Sequence, residues 1–546
     1  MVKKNNVLII MADQLAAQAL KLYGNPVCKT PHLDELANSG IVFENAYSNN
    51  PVCVPSRASM LSGLLCPEID AFDNATELAS SVPTMAHYMR SLGYWTFLSG
   101  KMHFIGPDQL HGFNERLTTD VYPANFDWIG NWTEGPSYVP SGTALNGIVE
   151  AGPCTRTMQE DYDDEVEFQS LRKIYDLSRF ENQNPFFGII SFTSPHTPFN
   201  VSQKYWDLYD EKDINPPDVP PIPFDDLDYF SKSLFFAHGR HRHTVTEEHI
   251  RKTRHAYYGM ISYIDDKIGK IINLLDETNQ LHNTAIFFVS DHGEMLGERG
   301  MWFKQCFWEW SAHVPMIAKI PGAPKGLRSS VITSLVDLLP TILEIGNDEK
   351  PTSFSDDLSG KSLLKFAYNK GETKNSFAIS DYYHIGPCVP TRMIRQDNLK
   401  LIYTHGHPSL LYDLKNDPHE LFNLAGNDNF KGDLNNLLSI CFQNWDPEKI
   451  NDKILQSQKR RLLIKSVPGE KPNWDYIASI GDDKRYVRKD GVDATKGKLR
   501  IPPVESIPPD MPALSKDEID AMMKGKKTFK FNYRKKKKIR DFDYFF

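Results

Sequence analysis

Residues 7–12, Val-Leu-Ile-Ile-Met-Ala, form an unbroken apolar run that stops at Asp13. A run this short, with no alternation, fits a strand buried on both faces of a parallel sheet. Other strand candidates are 94–98, 186–192 and 285–290, and helical patterns separate them, notably over 84–92 and 247–275. A further helix is predicted from Thr30, with Pro31 at its first position and Gly40 after its last. This alternation restricts the chain to an α/β sheet with helices on both faces. Ligands of such sheets gather at the carboxyl ends of the strands. The polar residues fall there: Asp13 and Gln14, Lys101 and His103, His196, and Asp291 with His292.

At 546 residues the chain exceeds one small core. Polar stretches near 350–375 suggest a boundary. The expected division is a catalytic α/β domain over 1–365, a smaller α+β domain over 366–470, and an extended arm with a basic tail over 471–546. Short strands are predicted at 377–379, 392–394 and 399–403, and a helix at 433–442. The Pro-rich segment 216–221 reads as a surface loop. A net charge of -8 gives no electrostatic case for nucleic acid. Seven cysteines, an odd number without a C-x-x-C pair, argue against a disulfide scaffold and for a reducing compartment. The first residues lack a signal-peptide pattern and no apolar stretch is long enough to span a bilayer. The expectation is a cytoplasmic enzyme without a membrane partner.

Cys53-Val54-Pro55-Ser56-Arg57, closed by Leu61-Ser62-Gly63, is the most specific motif. Pro55 and Ser56 read as a helix start, with Cys53 just before it, where the dipole and free N–H groups favour an anion. The run resembles the sulfatase signature of the alkaline-phosphatase-like superfamily. That resemblance implies oxidation of Cys53 to formylglycine (3-oxoalanine) by a generating enzyme that binds transiently. In the family the hydrated aldehyde attacks sulfur, and its second hydroxyl then collapses to expel sulfate. Cys388-Val389-Pro390-Thr391-Arg392 repeats the minimal pattern. It lacks the closure, leads into a strand-like stretch, and is expected to remain unmodified.

Asp13, Gln14, Asp291 and His292 supply mainly hard donors at two strand ends, suited to a divalent metal. With residue 53 they form the expected metal set, calcium foremost, magnesium or manganese as alternatives. Gln14 stands where many sulfatases have Asp, and His292 where they have Asn. The resemblance implies further roles. Arg57 and Lys101 hold the nucleophile, His103 addresses its second hydroxyl, Lys304 contacts the sulfate, and His196 protonates the leaving alcohol. His241 and His243, in a basic run, are expected to be solvated.

Within the family, 99–113 and 115–124 resemble choline-sulfatases, as do 72–75, 261–268 and 474–476. The implied substrate is choline O-sulfate, a small sulfate ester with a quaternary ammonium that needs aromatic faces and a carboxylate. Trp128 is the expected aromatic wall and Asp381 the carboxylate, with Asn74 near the sulfate and Asn146 a further pocket candidate. The stretch 138–148 departs from the pattern, and His313 stands where Arg is usual. The arm after 470 suggests, by analogy, a homo-oligomer. Alternatives are a phosphonate or phosphate ester hydrolase of the same superfamily, an aryl or carbohydrate sulfatase, and a binding protein should Cys53 stay unconverted.

Overall fold

The computed structural model describes residues 4–139, 145–179, 184–347, 353–370, 376–470, 472–488 and 500–529. Its main sheet has eight strands, in the order Leu327–Ser334, Ile41–Tyr47, Met316–Lys319, Thr284–Ser290, Asn6–Ala12, Phe186–Phe192, Trp95–Gly100 and Glu115–Arg116. Asn6–Ala12 lies at the centre, parallel to both neighbours. Every residue of it is buried, as an apolar run without alternation requires. Val7, Ile9 and Met11 pack with the helices Met85–Ser91 and Leu338–Gly346. Leu8, Ile10 and Ala12 pack on the other face with Pro31–Asn38, Met158–Ser178 and Glu247–Glu277. This is the expected α/β sheet flanked by helices.

Two details differ from the expectation. Met316–Lys319 runs antiparallel to both its neighbours, so the sheet is mixed. Gly40 does not end its helix in a left-handed turn; the helix stops at Asn38. A Cβ at Gly40 would meet the Ala318 carbonyl oxygen at 2.2 Å, so the residue is small because two backbones pass there.

A second, antiparallel sheet contains Phe377–Tyr382, Thr391–Gln396, Leu399–Thr404 and Leu410–Asp413 in that order. The helix Lys431–Cys441 covers it, and Pro447–Ser466 follows. The three predicted strands fall within its first three.

The described parts of the arm fold back on this chain's own body. Asp475 accepts from Ala124 N–H at 2.8 Å, and Tyr476 donates to Arg116 O at 2.8 Å. Arg500–Ile501 pairs with Arg156–Thr157, and Ile519 and Met522 pack with Phe224, Phe235 and Phe236. The basic run 535–538 lies outside the described residues, as does part of the stretch 138–148.

Candidate active site

The sheet register brings the two acidic strand ends together. Ala12 pairs with Ser290, so Asp13 and Asp291 emerge side by side. One donor atom each from Asp13, Cys53, Asp291 and His292 lie within 4.8 Å of one another, all buried. Gln14, held at φ 65°, donates its backbone N–H to Asp291 at 3.1 Å. Its Nε2 donates to Glu294 at 2.5 Å, which leaves Oε1 facing Lys304. His292 Nδ1 faces Gly293 O at 3.2 Å, which turns Nε2 toward the cluster, 3.2 Å from Cys53 Sγ. Burial and the neighbouring Asp291 raise the Asp13 carboxyl to about 6, against the pull of Lys101. Two carboxylates packed this closely, with an imidazole nitrogen and the side chain of position 53 beside them, fit a divalent cation.

Cys53 is the first residue of the helix Cys53–Ser62, after Val52 as the cap. The helix thus begins two residues before the position that Pro55 and Ser56 suggested. Val52 lacks a capping side chain, and Asn74 Oδ1 accepts the Val54 N–H at 3.0 Å instead. The sequence expectation put Asn74 at the sulfate; the structure puts its oxygen on the helix start that carries Cys53. Burial alone would raise the Cys53 thiol, but Lys101, Lys304 and His292 outweigh it and hold it well below its usual value. Position 53 is therefore a site for negative charge.

Arg57 is buried and spans three strand ends. Its Nε donates to Asp291 at 2.8 Å; its Nη1 donates to Lys101 O at 2.6 Å and Ser191 Oγ at 2.9 Å. It braces the carboxylate and the strand that carries Lys101. Lys101 Nζ pairs with Asp13 and lies 3.4 Å from Cys53 Sγ. Gly100 permits this approach: at φ 98°, a Cβ there would meet Ser191 O at 2.0 Å.

On the other side stand Lys304, His196, His103, Tyr122 and Trp128. Lys304 Nζ is 2.6 Å from His196 Nε2, and His196 Nδ1 is 2.7 Å from Thr197 O. A ring nitrogen facing a carbonyl oxygen must carry the proton, so Nδ1 is the donor and Nε2 accepts from Lys304. Burial and Lys304 hold the imidazole well below its usual pKa. The His103 ring stands beside Tyr122 (centroids 4.7 Å apart) and Trp128 (5.4 Å), and Tyr122 and Trp128 meet at 4.8 Å. Asp120 fixes this wall by accepting the backbone N–H groups of Met102 (3.1 Å) and His103 (2.8 Å).

Several expectations do not hold. Asp381 is fully buried and bound two-pronged by Arg392, at 2.8 and 3.0 Å, so its charge is already matched. It is not an available partner for a cation. Asn146 donates to Glu150 at 3.2 Å and to Ile507 O of the arm at 2.8 Å; it fastens the arm. His241 and His243 are buried, not solvated. The look-alike Cys388 is half-buried with a thiol raised to about 12 by burial, and Arg392 of its run lies in a strand.

Sequence reasoning missed Tyr122, Glu294 and Asp120 as site residues. None belongs to a short motif with its own chemical signature. The available signals were the place of Asp120 and Tyr122 in the stretch 115–124 and the polar character of Glu294 next to a recognised position.

The model of the sulfatase family matches residues 5–347, and that of the N-sulphoglucosamine sulphohydrolase C-terminal region matches 297–440. A choline-sulfatase of Rhizobium meliloti (strain 1021) is 38% identical over 504 residues, covering 89% of this chain and 96% of the relative. An arylsulfatase of Clostridium perfringens (strain 13 / Type A) is 27% identical over 465 residues, covering 81% and 94%. Among solved structures, the phosphonate monoester hydrolase of Agrobacterium radiobacter superposes with a TM-score of 0.65 at 24% identity, covering 81% of this chain and 96% of that one. At that identity the likeness speaks for the fold.

Proposed function

The chain belongs to the sulfatase family and is a sulfuric ester hydrolase, and on that premise we propose that its substrate is choline O-sulfate. The observation that carries the choice is the aromatic wall beside the cluster. A quaternary ammonium binds aromatic faces, not donors. Tyr122 already has Lys101 over its ring at 4.5 Å and Arg488 at 4.4 Å. Trp128 is half-buried and, among the described residues, has no cation over it. Its indole is the face left for the ligand's own cation. The R. meliloti choline-sulfatase supports the same reading.

Cys53 is the position at which the family carries formylglycine; when formed, its hydrated aldehyde supplies an attacking hydroxyl and a second one through which sulfate leaves. A divalent ion held by Asp13, Gln14, Asp291 and His292 supplies, when bound, positive charge for the oxygens of nucleophile and ester. The remaining work falls to the protein's own side chains. Arg57 fixes Asp291 and the strand end before Lys101. Lys101 balances negative charge at position 53, and His103 stands beside it. Lys304 and His196 together hold the proton for the departing alcohol, with Lys304 as donor and His196 Nε2 as acceptor. An alkoxide is a poor leaving group, so a positioned proton lowers that barrier.

We further propose calcium as the ion, transient contact with a formylglycine-generating enzyme, a cytoplasmic location and a homo-oligomer. All seven cysteines are unpaired, in keeping with a reducing compartment. Leu463 and Val467, 68% and 60% exposed on and just after the helix Pro447–Ser466, offer an apolar surface for a second copy.

The test is a steady-state comparison of choline O-sulfate, 4-nitrophenyl sulfate and phosphocholine on enzyme whose formylglycine content is known from peptide mass spectrometry. Choline O-sulfate should have the highest kcat/KM. Equal values on all three would remove the choline assignment, and an unmodified Cys53 thiol in protein from the native host would remove catalysis.

A further inference from the structure

His384 is fully buried, and among the described residues neither ring nitrogen has a hydrogen-bond partner. A buried imidazole with both polar atoms unused is costly. Such a side chain in a packed core would ordinarily find a carbonyl or hydroxyl. Its surroundings point elsewhere. The ring lies near enough to Cys53, Lys304 and the Asp73–Arg461 pair to feel all of them. It therefore lies within reach of the cluster's charge, on the segment of the second sheet that follows Phe377–Tyr382.

The backbone of that turn is fixed on each side. Trp132 Nε1 donates to His384 O at 2.5 Å, and Tyr382 OH donates to Ile385 O at 2.6 Å. Trp445 Nε1 donates to Tyr383 OH at 2.8 Å. The loop that carries Trp128 runs directly into Trp132, so the aromatic wall and His384 are tied together through one hydrogen bond. Asp73, which acts on His384, adjoins Asn74, the residue that holds the Val54 N–H at the start of the Cys53 helix.

We propose that His384 is a substrate-contacting residue that donates a ring N–H to a peripheral sulfate oxygen of the bound ester. The inference rests on the sulfatase reading above and adds to it a contact from the second sheet. Burial, with Lys304 nearby, lowers its pKa to about 4, so the ring gives a hydrogen bond without a further full charge. Lys101, Lys304 and Arg57 already supply three cations. A neutral donor suits a monoanionic sulfate ester, whose charge is spread over three oxygens. Asp73 is bound two-pronged by Arg461 at 2.6 and 2.9 Å, so it does not compete as an acceptor.

The experiment compares wild type, His384→Ala and His384→Gln as metal-loaded, formylglycine-containing protein. Inorganic sulfate binding is measured by calorimetry, and KM and kcat with choline O-sulfate. His384→Ala should weaken sulfate binding and raise KM about ten- to hundredfold, the range for a hydrogen bond to an ion. His384→Gln, which keeps an N–H donor, should fall between the two. Sulfate binding and KM of folded His384→Ala within twofold of wild type would overturn the proposal, even with a lowered melting temperature, as would a His384→Gln no better than His384→Ala. Calorimetry needs no turnover: a wild type that binds sulfate but hydrolyses no sulfate ester would overturn the functional reading and leave the His384 contact to be judged by binding alone.

Discussion

Lys304 Nζ sits 2.6 Å from His196 Nε2, while His196 Nδ1 faces Thr197 O at 2.7 Å. The two residues come from different strand ends and act as one proton-holding unit. His196 by itself is a poor acid, because burial and the adjacent ammonium keep it neutral. Lys304 by itself has no path fixed for its proton. The pair supplies both.

Loss of the pair should therefore depend on the leaving group. His196→Ala and Lys304→Ala are expected to lower kcat/KM for choline O-sulfate about 10²- to 10⁴-fold, the usual span for general acid catalysis. On 4-nitrophenyl sulfate, whose phenolate departs without help, the His196→Ala loss should be at least tenfold smaller. Lys304→Ala should hurt both esters, because Lys304 also bears on charge at position 53. Equal losses on both esters in His196→Ala would assign His196 to packing.

Metal removal should change stability as well as rate. Without the ion, burial and Asp291 raise Asp13 to about 6, above the 3.8 of an unfolded Asp. The folded apo-protein then binds a proton that the unfolded chain has released. Its stability should be greatest below about pH 4 for this group and fall as pH rises to about 6. A bound divalent ion prefers the ionised carboxylate and should cancel or reverse that slope. Melting curves of chelated and reloaded protein between pH 4 and 7 test this. Parallel curves would mean that Asp13 is not part of an ion site.

Trp128 is expected to act on the cation end alone. Trp128→Ala should raise KM for choline O-sulfate about 2- to 30-fold, from a cation–π contact of roughly 0.5–2 kcal/mol. The effect on an aryl sulfate should stay within twofold or threefold. Trp128→Phe should recover most of the loss. A matched loss on both esters would make Trp128 a support for His103 and Tyr122, whose rings it meets.

The strands around the centre were legible because burial on both faces leaves a largely apolar run without alternation, unbroken over residues 7–12 of Asn6–Ala12. Ile41–Tyr47 was not, because Glu44 and Asn45 break its run where the strand is half-buried. The charged groups at strand ends could be read because open α/β sheets have a fixed functional edge. Contacts between distant elements could not. Nothing in the sequence pairs Asp381 with Arg392, or commits Asn146 to the arm, since side-chain pairing is set by tertiary approach and not by spacing. His384 escaped for the same reason: a single histidine on a turn carries no pattern, and its unused nitrogens exist only in the packed molecule.

Asp120 ties the stability of the active-site wall to pH in a sense opposite to Asp13. Its oxygens accept the N–H groups of Met102, His103 and Val121, and Arg116 pairs with it. Burial opposes the charge, but Arg116, His103 and the backbone donors overcome it and lower the carboxyl to about 2. A folded pKa below the unfolded 3.8 gives stability that is present above about pH 4 and lost as pH falls through 2. The shift corresponds to about 2 kcal/mol. Asp120→Asn keeps the shape but loses the charge, so it should lower the melting temperature at pH 7 by several degrees, and the gap should close toward pH 2. Because the lost acceptor frees the Met102–His103 backbone, kcat should also fall at pH 7. A gap between variant and wild type that stays constant from pH 7 to pH 2.5 would mean that the ionised carboxylate does not hold this loop.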